Sequence, residues 1–299
     1  MLAPDGVACA RGPGATIGRA YTRAVPAPAE APVPASTVIA SEPAGPRALY
    51  VLHGIFGRGR NWGAVARHLQ VRRPDWQTLL IDLRLHGESP AFDPPHTVEA
   101  CAADVARLAA RRGHEPRAVL GHSFGGKVAL LYAAHAVAPR QVWVIDSTPD
   151  AKPPSGAAWE LLGIVKALPG TFTSRLEAIE AMQARGVRAE VAAWMAANLA
   201  LDAGRYRWRL DLDAVGTLLA DFFRVDLWSV VEDPPAGVDL HVVKAMESTT
   251  IDDAACERIR AAARRHGRAH LHTVGGGHWV NTDNPEAILS LLAATLPRD

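Results

Sequence analysis

From Ala48 onward the hydrophobic positions fall into short runs that end abruptly in polar or turn residues: ALYVLHG, TLLIDLRLHGES, RAVLGHS, QVWVIDS, DLHVVKAM and AHLHTV. Each is rich in Val, Leu and Ile and apolar on both faces. That is the pattern of parallel strands buried between two layers. Between them, residues 61–72, 97–113, 125–136, 253–267 and 284–296 carry helical patterns. Strands alternating with helices predict a doubly wound α/β fold with a mostly parallel sheet.

Residues 150–236 break the alternation. They read as mostly helical, in GAAWELLGIVKAL, TSRLEAIEAMQARG, RAEVAAWMAANLA and DAVGTLLADFF. Prolines bracket them: Pro149, Pro153 and Pro154 on one side, Pro234 and Pro235 on the other. An insertion between two sheet strands predicts a helical cap over the carboxyl ends of the strands, where open α/β sheets bind ligands. The chain thus divides into a core of residues 48–149 and 237–299, a cap of residues 150–236, and a leader of residues 1–47.

The leader is rich in proline, alanine and glycine, and is expected to be disordered. Before residue 30, Arg11, Arg19 and Arg23 outnumber the one acid, Asp5. This composition fits an organellar transit peptide, for a mitochondrion or chloroplast, or an alanine-rich tail on a cytoplasmic protein.

Bulk composition narrows the classes further. A chain of 299 residues, 48% hydrophobic, can bury a full core. With 32 basic and 31 acidic residues and no basic block, nothing points to nucleic acid or an anionic membrane surface. No apolar run reaches the roughly 18 residues that a membrane-spanning helix needs. Cys9, Cys101 and Cys256 are scattered, odd in number and without a CxxC, which argues against a disulfide framework.

The candidate chemistry centres on LGHSFGGKVAL, residues 120–130, where Ser123 stands between Gly121 and Gly125 as a strand gives way to a helix. A G-x-S-x-G sequence in that context makes a sharp, strained turn that exposes the serine oxygen. Side chains at the flanking glycines would clash with neighbouring backbone. The helix N-terminus favours negative charge developing nearby. These features favour Ser123 as a nucleophile over a capping serine in a tight turn.

A serine hydroxyl needs a general base, and the base needs an orienting carboxylate. VGGGHWVNTDNPEAI supplies His278, on a glycine loop after the last strand and before the last helix. His266, His270 and His272 read instead as a helix end and alternating strand positions, so no metal site is expected from them. The acid has two candidate places. The loop after DLHVVKAM offers Glu247, Asp252 and Asp253, and the tip of QVWVIDS offers Asp146. Neighbouring strands lie about 4.8 Å apart, so either tip can reach one histidine. A carboxylate where an apolar strand ends is costly unless used, which favours Asp146 and leaves Glu247 as the alternative acid.

The oxyanion of an acyl-transfer step needs two backbone N–H groups. Phe124 should give one and the loop LHGIFGRGRNW the other, through Ile55 or Phe56. His53, Asp82, Arg84 and His86 are expected to be structural ties beneath the site. Trp159, Leu162, Trp194, Met195, Leu199, Phe222 and Phe223 supply the cap's apolar residues, and Phe56 and Trp279 flank the site. Phe56, Trp159, Trp194, Phe222 and Trp279 are the candidate substrate-binding set.

LHGIFG, DLRLHGES, GHSFGGK, VIDSTP, RWRLDLDAV and GGGHWVNTDNPEAI occur in one order, and on them the chain resembles the α/β-hydrolase superfamily from about residue 48 to 298. WRLDLDA and the lysine after the serine elbow, Lys127, are similar to the subfamily that holds small bacterial esterases and the eukaryotic α/β-hydrolase-domain-containing protein eleven. The resemblance implies an α/β-hydrolase fold with a cap and cofactor-free hydrolysis of carboxylic esters or thioesters. It also implies an acid after the strand that follows the nucleophile helix, at Asp146. The usual position of the acid in the superfamily corresponds to about Ser248, which cannot serve. VVKAMES departs from the glycine-rich turn of relatives, and this keeps Glu247 open.

The expected function is a serine hydrolase that forms an acyl-enzyme on Ser123, with a small acyl ester or thioester as its partner and no cofactor. An acyltransferase would share the triad and differ in the acceptor. A hydrolase fold used as a small-molecule receptor or a protein-stabilising module would bind without turnover. A serine at the elbow argues against dehalogenase and epoxide-hydrolase chemistry, both of which use a carboxylate nucleophile there.

Overall fold

The computed structural model describes residues 31–136 and 139–298. The core begins with strands β1 (Ser36–Ile39) and β2 (Arg47–Leu52), helix α1 (Gly63–Arg72) and strand β3 (Trp76–Ile81). Helix α2 (Val98–Arg112), strand β4 (Ala118–His122), helix α3 (Phe124–His135) and strand β5 (Gln141–Ile145) follow. After the cap come strand β9 (Asp239–Ala245), helix α9 (Asp253–His266), strand β10 (Ala269–Val274) and helices α10 (Val280–Asp283) and α11 (Pro285–Thr295). The seven strands order as β1-β3-β2-β4-β5-β9-β10, parallel except for β1, which runs antiparallel to β3.

Side chains alternate between the two faces, so strands apolar throughout serve two cores. Leu49, Val51, Leu120, Trp143 and Ile145 pack with α1 and α11, through residues such as Leu69 and Leu292. Tyr50, Leu52, Val119, Val142 and Val144 pack with α2, α3 and α9, in a cluster that continues into the cap. The predicted α/β architecture is therefore observed, with its six parallel strands where the apolar runs lie.

Two expectations change. The leader was expected to be disordered through residue 47, yet β1 falls within it. Asp82 N–H donates to Ala35 O and Ala35 N–H donates to Ser89 Oγ, so the proline-rich composition conceals a short edge strand. The transit-peptide reading of Arg11, Arg19 and Arg23 lies outside the described residues.

The second change concerns the segment between β5 and β9. It carries helices α4 (Ala157–Lys166), α5 (Arg175–Gln183), α6 (Ala189–Ala196), α7 (Leu212–Arg224) and α8 (Trp228–Glu232). It also holds a small antiparallel sheet of β6 (Thr171–Phe172), β7 (Leu199–Asp202) and β8 (Arg205–Trp208), in the order β6-β8-β7. Helix α6 stops at Ala196 instead of running on, because Ala203 and Gly204, with φ of 46° and 78°, close a tight hairpin between β7 and β8.

One side chain fastens this segment to the core at two places. Lys127 of α3 is fully buried, and its ammonium donates to the carbonyls of Asp150, Phe222 and Val225, each at 2.7 Å. Burial lowers its pKa to about 8.

Candidate active site

Ser123 is the hinge between β4 and α3. Its φ of 52° and ψ of −117° are strained for a non-glycine residue. The turn is held by Ser123 N–H donating to Ile145 O at 2.9 Å and Gly126 N–H donating to Ser123 O at 2.8 Å. Both motif glycines are required by close approach. A Cβ at Gly121 would lie 1.9 Å from Gly125 O, and one at Gly125 would lie 2.5 Å from Leu52 O.

Ser123 Oγ lies 3.0 Å from His278 Nε2, and His278 Nδ1 lies 2.7 Å from Asp146 Oδ2. With Nδ1–H donating to the carboxylate, Nε2 keeps a free lone pair facing the serine. Asp146 is fully buried at the end of β5, and Ala245 N–H of the next strand donates to its Oδ1 at 3.1 Å. Burial alone would raise its pKa, but hydrogen bonds from His278 and Ser248 outweigh this and hold the carboxyl below its ordinary value. Ser248 thus contributes a hydroxyl where the superfamily commonly has its acid.

The glycine loop that carries His278 is anchored by its own sequence. Gly277 N–H donates to Asp283 Oδ2 at 3.0 Å, and the Asn284 amide donates to Gly275 O at 3.1 Å.

Ser123, Asp146 and His278 are thus brought together. Glu247 is not: its side chain is exposed, and its backbone N–H is spent on Gly276 O beyond the end of β9. It is Asp146, not Glu247, that occupies the Nδ1 side of the imidazole. Asp252 is likewise engaged elsewhere, capping α9 through Ala255 N–H.

Phe124 is the first residue of α3, so its N–H has no acceptor within the helix. Gly54 packs against the serine, since a Cβ there would lie 3.3 Å from Ser123 Cβ; Ile55 is next in the chain. Phe56 N–H, by contrast, donates to His86 Nε2 at 3.0 Å, which favours Ile55 over Phe56 as the loop's donor. His53 Nδ1 faces Gly54 O, and its Nε2 accepts from Leu83 N–H. Arg84 forms a double ion pair with buried Asp104, and Asp82 accepts from Gly59 and Glu88 N–H groups. These four residues are structural ties, as expected. Burial lowers His86 to about 4 and takes His53 well below the ordinary imidazole value, so both stay neutral.

The aromatic candidates form two groups. Phe56 meets Trp194 edge-on at 6.5 Å, and Trp194 meets Trp279, the neighbour of His278, at 5.1 Å. On the other side, Phe222 lies 5.7 Å from Phe124, with Phe223 and then Trp159 behind it. Met195 and Leu199 are fully buried and belong to the cap's core.

Three contributors were not foreseen. His122, inside the elbow motif, is buried beneath His278. Thr250 Oγ1 lies 3.3 Å from His278 Nδ1. Asn198 donates to Phe56 O at 2.9 Å and so steadies the oxyanion loop from the cap. The first was legible as the residue next to the serine, whereas the other two depend on long-range folding.

A family model described as "Alpha/beta hydrolase family" matches residues 49–291. The chain is 30% identical over 258 residues to the mouse (Mus musculus) sn-1-specific diacylglycerol lipase ABHD11, covering 83% of this chain and 80% of that one. It is 31% identical over 278 residues to the lipase LipV of Mycobacterium tuberculosis, covering 85% and 95%. Among solved structures, a marine microorganism esterase superposes with a TM-score of 0.77 at 23% identity, over 89% of this chain and 100% of that one.

Proposed function

The chain belongs to the alpha/beta hydrolase family, and from that membership and the geometry of its elbow we propose that it hydrolyses carboxylic esters or thioesters through an acyl-enzyme on Ser123. One observation carries the reading: a single imidazole bridges the serine oxygen at 3.0 Å and a buried carboxylate at 2.7 Å. Relatives named as lipases support an ester as substrate.

In the first step Ser123 Oγ attacks the carbonyl carbon while His278 Nε2 takes its proton. The carbonyl electrons move onto oxygen, where the N–H groups of Phe124 and Ile55 donate to the developing charge. Asp146 accepts from Nδ1–H and stabilises the imidazolium. The tetrahedral adduct collapses and expels an alcohol or thiol, which leaves with the proton from His278. In the second step water gives a proton to Nε2 and attacks the acyl carbon. Collapse of that adduct returns the proton to Ser123 Oγ and frees the carboxylic acid. The aromatic groups around Trp194 and Phe222 form the walls against which the apolar acyl chain packs.

A fluorophosphonate probe tests this directly. It should label wild type at Ser123, and the Ser123→Ala variant should neither label nor turn over a panel of acyl esters and thioesters. Full turnover by that variant would refute the assignment.

A further inference from the structure

A cavity of about 330 Å³ opens between the loop after β3 and the cap, and neither Ser123 nor His278 lines it. Arg58 does, together with Arg209, Asn198, Ser89 and His96. Arg58 is 7% exposed. Its guanidinium donates from Nη2 to Ala197 O at 2.6 Å and to Asn198 Oδ1 at 3.1 Å, both neutral acceptors. Among the described residues no carboxylate pairs with it.

The acids around the cavity are engaged elsewhere. Glu88 pairs with Arg209 at 2.8 Å. Asp82 accepts from the N–H groups of Gly59 and Glu88, and Asp211 from those of Asp213 and Ala214. Arg60 and Arg209 add positive charge to the surroundings of Arg58, which Asp82 and Glu88 offset in part without pairing with it. A buried guanidinium is ordinarily matched by an anion, because desolvating a lone charge is expensive. Here the missing partner borders open space large enough for a small molecule.

We infer that this cavity binds a compact anionic group, a carboxylate or phosphate, seated on the Nε–H and Nη1–H groups of Arg58, which meet no acceptor among the described residues. The seat shares a wall with the oxyanion loop. Asn198 accepts from Arg58 and donates to Phe56 O, while His86 accepts from Phe56 N–H. The anion is therefore held against the segment that presents Ile55. It comes either from the reacting ester itself or from a separate small molecule. Only the first source rests on the proposed hydrolysis; anion binding as such does not.

The test is calorimetric and thermal titration with inorganic phosphate on wild type and on Ser123→Ala, with chloride at matched ionic strength as the control. Phosphate should bind both and raise Tm beyond chloride, and Arg58→Met should weaken binding at least tenfold. Should that variant fail to fold, Arg58→Lys keeps the charge and loses the planar fork, and it should weaken phosphate binding severalfold. No phosphate binding above the chloride control in wild type, or undiminished binding in the Arg58 variant that folds, overturns the inference. Turnover then separates the sources. If the substrate brings the anion, phosphate competes with p-nitrophenyl hydrogen glutarate and the Arg58 variant loses its KM advantage over p-nitrophenyl butyrate. If the anion is separate, phosphate binds without competing with either ester.

Discussion

His122 Nε2–H donates to the backbone carbonyl of His278 at 2.8 Å, and the two rings lie 5.0 Å apart. The nucleophile's chain neighbour thus holds the backbone of the base. Burial lowers the His122 imidazole to about 3, so it remains a neutral donor. Replacing it with Phe keeps a ring in place and removes the bond. A buried hydrogen bond of about 1–3 kcal/mol corresponds to a loss of roughly 5- to 160-fold in kcat, with KM little altered. Steady-state kinetics together with Tm check this; unchanged kcat would assign His122 to packing alone.

Asp146→Asn should lower kcat by about 10³–10⁴-fold, since the amide cannot stabilise the imidazolium and favours the wrong tautomer. Glu247→Gln should leave kcat within about twofold of wild type. Parallel assays of the two variants, with circular dichroism to confirm folding, decide between the acids.

Lys127→Met removes the ammonium that satisfies three carbonyls and lies 4.5 Å from the centre of the Phe222 ring. Leaving buried acceptors unpaired should destabilise the protein by about 2–4 kcal/mol, visible as a Tm lower by about 5–12 °C. Differential scanning calorimetry measures it.

Acid should unfold the protein early. Burial depresses His53, His86, His122 and His241, the last two to about 3 and His86 to about 4. In the unfolded chain each takes a proton near pH 6.5, while the folded state resists it. The unfolded state therefore binds more protons below that pH, and stability rises with pH across the window from about 4 to 6.5. Each such histidine removes up to about 1.4 kcal/mol per unit of falling pH. Far-UV circular dichroism should show cooperative unfolding before pH reaches about 4, and a Tm unchanged from pH 7 to 4 would contradict the account.

The parallel strands were legible because burial on both faces leaves an uninterrupted apolar run, as in QVWVI of β5. The elbow was legible because only glycine fits where Gly121 meets Gly125 O. Strand β1 was hidden because an edge strand of four residues, packed on one side, carries no such run. The β7–β8 hairpin was hidden because NLALD reads as a helix tail until Ala203 and Gly204 turn the chain back. The acid was left open between Asp146 and Glu247 because both follow strands. What separates them is the Ala245 N–H and Ser248 hydroxyl that converge on Asp146, contacts between segments distant in sequence. Arg58 gave no signal at all, since a charged residue in a loop is ordinarily solvated.

Ser123 and Asp146 leave the ends of adjacent strands, β4 and β5, bonded to each other by the Ser123 N–H to Ile145 O link. The nucleophile and the acid therefore belong to one β-α-β unit, although the Asp146 carboxylate is aimed by Ala245 N–H from β9, across the cap segment. His278 comes 132 residues after Asp146 and can join only when β10 has docked against β9. Contacts of such separation form late, because the intervening loop must first be closed. The base thus depends on the last strand of the sheet, and the appearance of turnover in a refolding chain would time the docking of that strand.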